Sequence, residues 1–167
     1  MIGTPAFQDA FETAERSVFR LETLQHYAGD PNFDRYQAGE AWQDTDSKRH
    51  WMDLVRRRVS QGVAMQRVHV VTEPWSDYVR FELTWSYPPN VAAGEDVRII
   101  TAPTAWPGPD FWLFDDRQVW LMHYDSNGEL VQVEDASASE TTVRACRVRK
   151  QQALTASEPL RAVTSAC

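Results

Sequence analysis

Two stretches of this chain hold the residue types from which a reaction or a ligand site could be built. The first, "EPWSDYVRFE", carries Glu73, Asp77, Tyr78, Arg80 and Glu82 around a strand-to-helix junction. On a helix Asp77 and Arg80 stand at i, i+3, and Tyr78 and Glu82 at i, i+4, so each pair can meet. At the carboxyl end of a strand such a group is a candidate pocket rim. It reads equally as an internal cluster of ion pairs, the commoner arrangement on helices. The candidate ligand-binding set is Asp77, Tyr78, Arg80, Glu82 and Arg98, with Arg80 or Arg98 as anion anchors through bidentate guanidinium bonds.

The second stretch, "PGPDFWLFDDRQVWLMHYDSNGELVQVE", spans 107–134 and sets Asp115, Asp116 and His123 between aromatic runs. A carboxylate meeting His123 would make an acid–base pair, and Glu73, Asp116 and His123 are the candidates if the chain is an enzyme. Turn chemistry accounts for Asp125 with Asn127 and Gly128, and for Asp115 with Asp116, without catalysis. His123 shares a strand face with Val119 and Leu121 and therefore also reads as a half-buried core histidine. The aromatics Trp106, Phe111, Trp112, Phe114, Trp120 and Tyr124 fill a core by default and line a pocket only in the enzyme reading.

Other chemistries lack their motifs. No G-x-S-x-G elbow is present, and neither Cys146 nor Cys167 has a histidine near it in sequence. No glycine-rich phosphate loop of either common spacing occurs. The four histidines, His26, His50, His69 and His123, are scattered without H-x-H or H-x-x-x-H, and there is no C-x-x-C. "DSNGE" is an incomplete calcium loop. No cofactor and no metal is expected.

The elements that must position these residues follow from periodicity. Thr4 and Pro5 open a helix running to about Glu15, with Phe7, Phe11 and Ala14 on one face. Residues 17–25 fit a helix or a strand, since Phe19 and Leu21 alternate with Arg20 and Glu22. A short helix fits 31–38. A longer one begins at Asp46 or Ser47, buries Trp51, Leu54, Val55 and Val59, and stops at Gly62. "AMQRVHVVTEP" is a strand ending at Pro74. Ser76 caps a helix that Pro88-Pro89 end, and "GEDVRIITAP" is a short strand. Three further strands, "DFWLF", "VWLMHY" and "ELVQVE", form a meander whose last turn carries Asn-Gly. A helix over 137–157 closes the chain, with Val143, Cys146, Val148 and Leu154 inward.

This order gives one α/β domain over 1–167: a helical N-terminal part (1–62), a strand–helix–strand–meander core (63–134) and the C-terminal helix. The sheet is mixed or antiparallel. Length and a 43% hydrophobic content support a single folded core. A net charge of −7 disfavours direct nucleic-acid binding, which needs clustered cations; Arg56-Arg57-Arg58 reads as a solvated helix end. No signal-like or membrane-spanning apolar run and two isolated cysteines fit a cytoplasmic setting.

Two resemblances extend this reading. "AGEDVRIITAP" followed by "DFWLFDDRQVWLM" resembles the strand pair of the phospholipase D-like fold over roughly 64–134. With Asp115 set on the aspartate of H-x-K-x-x-x-x-D, Gly108 takes the histidine position and Asp110 the lysine position, so the likeness implies a half-domain with a degenerate active site. More of the chain is similar to an uncharacterised actinobacterial family, through "RSVFRLETLQHY", "EPWSDYVRFEL", "PPNVAAGEDVRII" and "DFWLFDDRQVWLMHYDSNG". Its members are often encoded beside helix-turn-helix regulators and small acidic proteins, which implies regulation or interaction and carries over no catalytic residue. The expectation is a non-enzymatic regulatory protein binding a small ligand or a protein partner such as a helix-turn-helix DNA-binding regulator. The alternative is a small enzyme of secondary metabolism with a His/carboxylate pair in an aromatic-lined pocket.

Overall fold

In the computed structural model, which describes residues 4–161, the Thr4 hydroxyl accepts the Phe7 N–H and Pro5 opens α1 (Pro5–Thr13). The ambiguous stretch after it is a strand, β1 (Ser17–Glu22), buried along almost its whole length. It lies between β2 (Ala64–Thr72), which runs parallel to it, and β4 (Asp110–Phe114), which runs antiparallel. A strand covered on both faces loses the in–out hydrophobic alternation that would distinguish it from a helix. The N-terminal part, expected to be helical, therefore supplies a central strand.

Two helices follow β1: α2 (Pro31–Gln37), capped by Asp30, and α3 (Asp46–Ser60), capped by Thr45. Leu54 and Val55 of α3 are buried as expected, but Val59 is 37% exposed. Arg58 takes the inner position, its guanidinium bonding the Ala14 carbonyl and thereby tying α3 to the end of α1.

Pro88 and Pro89 do not end the helix begun at Ser76. α4 (Asp77–Phe81) passes into a π-helical turn (Glu82–Ser86), and α5 (Tyr87–Ala93) continues through both prolines to Gly94. The Tyr87 N–H reaches back five residues to the Glu82 carbonyl, and the wider turn accommodates two residues that have no N–H to donate.

The remaining strands are β3 (Asp96–Ala102), β5 (Gln118–Tyr124), β6 (Leu130–Asp135) and the two-residue β7 (Glu158–Pro159), which follows α6 (Glu140–Ala156). They complete a seven-stranded mixed sheet in the order β6-β5-β4-β1-β2-β3-β7. β3 and β4, the pair likened to a phospholipase D-like core, are separated by β1 and β2 rather than hydrogen-bonded. The Asn-Gly turn forms as expected: the Asp125 carboxylate accepts the N–H groups of Asn127 and Glu129.

Helices cover both faces. On one, Phe7 and Phe11 of α1 and Leu54 and Val55 of α3 pack on Val18, Met65, Trp112, Phe114 and Trp120. On the other, Val143, Cys146 and Ala153 of α6 pack on Phe19, Leu21, Val68, Val70 and Leu113. Val148, expected inside, is 47% exposed, and Ala153 is buried in its place. Cys146 is a buried free thiol; Cys167 lies outside the described residues.

Asp115 and Asp116, at the β4–β5 turn, both have left-handed backbone, φ 52° and 57°. The Asp115 carboxylate accepts the N–H groups of Glu15, Arg16 and Ser17 at 2.9, 2.7 and 2.9 Å, closing the gap between α1 and β1. Its partial burial opposes ionisation, but those three N–H groups and Arg117 outweigh it and hold the pKa below the ordinary aspartate value. Stability from this group is complete above an unfolded pKa of 3.8 and is lost as pH falls through the lower folded value. Asp115→Ala is expected to destabilise the protein by about 2–4 kcal/mol in urea unfolding at pH 7. Asp115→Asn, which keeps one acceptor oxygen, falls between, and its deficit shrinks below pH 3.8. A pH-independent deficit would disprove the charged-cap account.

Candidate functional site

The strand registers bring a set of charged side chains onto one sheet face that no single sequence motif contains. Arg20 pairs across to Arg67, and Glu22 to His69, on the parallel strands β1 and β2. Asp110 and Trp112 join them from β4, and Tyr124 from β5. All of Arg20, Glu22, His69, Glu82, Glu95 and Asp110 are less than 9% exposed.

Arg20 Nη2 donates to Asp110 Oδ2 at 3.2 Å and to Tyr124 Oη at 2.9 Å, and its Nε lies 3.4 Å from Glu22 Oε1. The other Asp110 oxygen accepts the Thr23 N–H and hydroxyl at 2.9 and 2.7 Å, while the Tyr27 hydroxyl donates to Oδ2. Arg67 donates to Glu22 at 2.6 Å and to Glu95 at 2.8 Å; Trp51 Nε1 donates to the second Glu95 oxygen. Both guanidiniums approach the Trp112 ring, Arg20 at 5.4 Å and Arg67 at 5.7 Å from its centroid.

His69 Nε2 donates to the Leu24 carbonyl at 2.7 Å, so Nδ1 faces inward. There it lies 2.9 Å from the Tyr87 hydroxyl and 3.1 Å from Glu82 Oε2. Tyr87 also donates to Glu22 at 2.8 Å. Glu82 Oε2 approaches the imidazole off the hydrogen-bond line and has no hydrogen-bond partner.

The charge states follow from these contacts. Burial opposes charge on Glu22, but Arg67, Arg20 and His69 overcome it and pull its pKa down to about 2. Burial likewise opposes the imidazolium of His69, and Glu82 with Glu22 reverses this, raising it to about 9. For Glu82 burial prevails, and its pKa is raised. Burial and the neighbouring carboxylates raise Tyr87 well above the ordinary tyrosine value.

The loop after β1 seals this cluster. Gln25 accepts the Thr72 N–H at 2.8 Å and donates to the Val70 carbonyl at 2.9 Å, and Ala28 N–H donates to the Gly128 carbonyl at 3.0 Å. Gly128 is required there: φ is +81°, and a Cβ would lie 2.6 Å from the His26 carbonyl oxygen.

Of the candidate ligand-binding and catalytic residues, only Glu82 enters this cluster directly, while Trp112 and Tyr124, read as core aromatics, border it. Tyr78 is buried beside it in an aromatic group with Phe33 and Phe81. Asp77 and Arg80 are exposed and 3.9 Å apart, and Glu73 is exposed. Arg98 bonds the Ser157 hydroxyl and carbonyl, anchoring the end of α6. Asp116 accepts from Lys150 at 2.8 Å. His123 does meet a carboxylate, Glu134 at 2.7 Å, but on the surface, with side chains 37% and 45% exposed. Asp116, in the β4–β5 turn, and His123, near the far end of β5, are held apart by that strand.

Sequence reasoning passed over Arg20, Glu22, Arg67, His69, Glu95, Tyr87 and Asp110. The available signal was the in-phase pairing of Arg20 with Glu22 in "FRLE" and of Arg67 with His69 in "QRVHVV", each within an otherwise core-like strand.

A buried ion pair acts as a unit, so removing one partner leaves a desolvated charge. Asp110→Ala is expected to cost about 3–5 kcal/mol. In a double-mutant cycle with Arg20→Met, the pair should cost less than the sum by about 1–3 kcal/mol, measured by urea unfolding. Additive costs would show that the two side chains do not depend on each other.

No curated protein matches the sequence. The family model described as a domain of unknown function (DUF6879) matches residues 5–164, nearly the whole of the fold built around this cluster, and the chain belongs to that family.

Proposed function

We propose that the chain is a non-enzymatic regulatory or interaction protein whose open working surface is the groove between α6 and the segment before β4. One observation carries the reading. Glu22, His69, Glu82 and Tyr87, whose ionisation is strongly perturbed, are paired with one another inside the sheet's covered face, whereas the groove beside α6 is lined, among the described residues, by no carboxylate or histidine. That groove, of about 630 Å³, is lined by Trp106, Pro107, Arg149, Gln152, Thr155 and Ala156.

Its chemistry supports an acidic partner with an apolar segment. On a chain of net charge −7, α6 carries Arg144, Arg147, Arg149 and Lys150 against Glu140 alone. Arg149 stands over the Phe111 ring at 5.2 Å and holds the Pro107 and Pro109 carbonyls, which fixes the groove wall. Of the two protein partners implied by the actinobacterial likeness, a helix-turn-helix regulator and a small acidic protein, charge favours the latter. Among the described residues no helix is long and apolar enough to cross a membrane; a cytoplasmic setting belongs to this reading. The phospholipase D-like likeness is retained only as a layered core with Gly108, Pro109 and Asp110 where H-x-K would stand. The reading as a secondary-metabolism enzyme uses Glu73, Asp116 or His123 as acid–base groups in an aromatic-lined pocket; it is less favoured because the one histidine–carboxylate pair among them, His123 with Glu134, lies on the surface.

The test is titration of the purified chain with each neighbouring gene's product by calorimetry. The acidic protein should bind, and Gln152→Glu with Thr155→Glu, both exposed positions, should weaken it at least tenfold with the fold unchanged by circular dichroism. Binding of neither product, or binding indifferent to the two substitutions, would overturn the reading.

A further inference from the structure

We propose that Glu22, His69 and Glu82 form a buried site for a divalent transition-metal ion, with Zn²⁺ as the ion that fits best. One ligand atom from each of the three lies within 4.8 Å of the others. The His69 Nδ1 to Glu82 Oε2 distance is 3.1 Å. Two ligands of one tetrahedral zinc, each at about 2.0–2.2 Å, stand about 3.3–3.5 Å apart, so this pair needs only a slight expansion, with Glu22 adjusting from within 4.8 Å.

Three independent features support an ion there. The first is the orientation of His69. Its Nε2–H is committed to the Leu24 carbonyl, the arrangement by which metal-binding histidines are held, and this leaves Nδ1 on the side of Tyr87 and Glu82, within 4.8 Å of a Glu22 oxygen. The second is Glu82 itself: only 5% exposed, it aims at the imidazole an oxygen that has no hydrogen-bond partner. Such an atom is costly to bury without a ligand or a proton.

The third is charge. The cluster holds four carboxylates, Glu22, Glu82, Glu95 and Asp110, against the guanidiniums of Arg20 and Arg67. A divalent ion with neutral His69 brings this buried group to neutrality in one step. With His69 protonated and no ion, these groups keep one net negative charge, which the Lys48 ammonium also faces through Glu95 and Glu82.

Tyr87 continues to donate to Glu22, and three protein ligands leave one tetrahedral position for water. The Glu22 and Glu82 side chains are 9% and 7% exposed while that of His69 is fully buried, so the ion enters from the carboxylate side. This inference does not rest on the partner reading, and its failure would leave the α6 groove untouched.

The experiment is a chelator-competition titration of the full chain after dialysis against a chelator. Expected is one Zn²⁺ per chain, with His69→Gln and Glu82→Gln each weakening affinity at least tenfold while circular dichroism is unchanged. No stoichiometric uptake by the wild type, or affinity unchanged in both variants, would overturn the proposal. Should both variants unfold, Co²⁺ added to the wild type decides. Intense visible bands of a four-coordinate site support it; no bands, or the weak bands of six-coordination, reject it.

Discussion

A guanidinium does not give up its proton, and Arg20 stands in the middle of the sheet with only 2% of its surface exposed. Burial alone would weaken its charge. The facing oxygens of Tyr124, Asp110 and Glu22 reverse this and raise its pKa above its already high value. That one charge dictates much of the architecture. β4 must run antiparallel beside β1 to present Asp110, and Thr23 and Tyr27 must fold back to complete the aspartate's bonds. The latter requirement fixes the loop after β1, and the same loop supplies the Leu24 carbonyl that orients His69.

The opposite side of the cluster is set by two prolines. Residues 82 and 87 would point about 140° apart around a regular α-helix at 100° per residue. The π-helical turn that lets the chain pass into Pro88 and Pro89 closes this angle, and Glu82 and Tyr87 both reach His69 Nδ1. A backbone irregularity caused by missing N–H groups thus becomes the means of bringing a carboxylate and a phenol to one imidazole. π-turns of this kind are common where side chains must converge.

Element types were largely legible in the sequence because they rest on local signals. Thr4, Ser76 and Ser139 cap helices, and Asp125 with Asn127 and Gly128 turns the β5–β6 hairpin. What failed locally failed where tertiary context decides: β1 hides its period by being covered on both faces, and Val59 yields its inner position to Arg58. The cluster was illegible for another reason. Glu22, His69 and Glu82 come from β1, β2 and a π-turn, and only strand register makes them neighbours. A search by spacing finds His69 isolated, and so it read as one of four scattered histidines. The surface residues Glu73, Asp77 and Arg80 drew attention because charge is conspicuous in sequence while burial is not.

Stability alone does not account for so many buried charges. Apolar residues of similar volume commonly hold a core as well as a buried ion-pair network, or better. The network does supply discrimination between alternative structures. A slip of β1 by one residue against β2 or β4 would carry Arg20 and Glu22 to the face covered by α6, among Val68, Val70, Leu113 and Val143, with no counter-charge. In a mixed sheet whose central strands are apolar on both faces, hydrophobicity cannot choose between these registers, since either places apolar groups inside. The charges can. Register accounts for Arg20 with Asp110 and for Arg67 with Glu22, each pair meeting across strands, although Arg20 Nη1 is left without a hydrogen-bond partner. It does not account for Glu82, which is on no strand and whose oxygen has no hydrogen-bond partner. The part of the network that register leaves unexplained is therefore the part that faces His69 Nδ1.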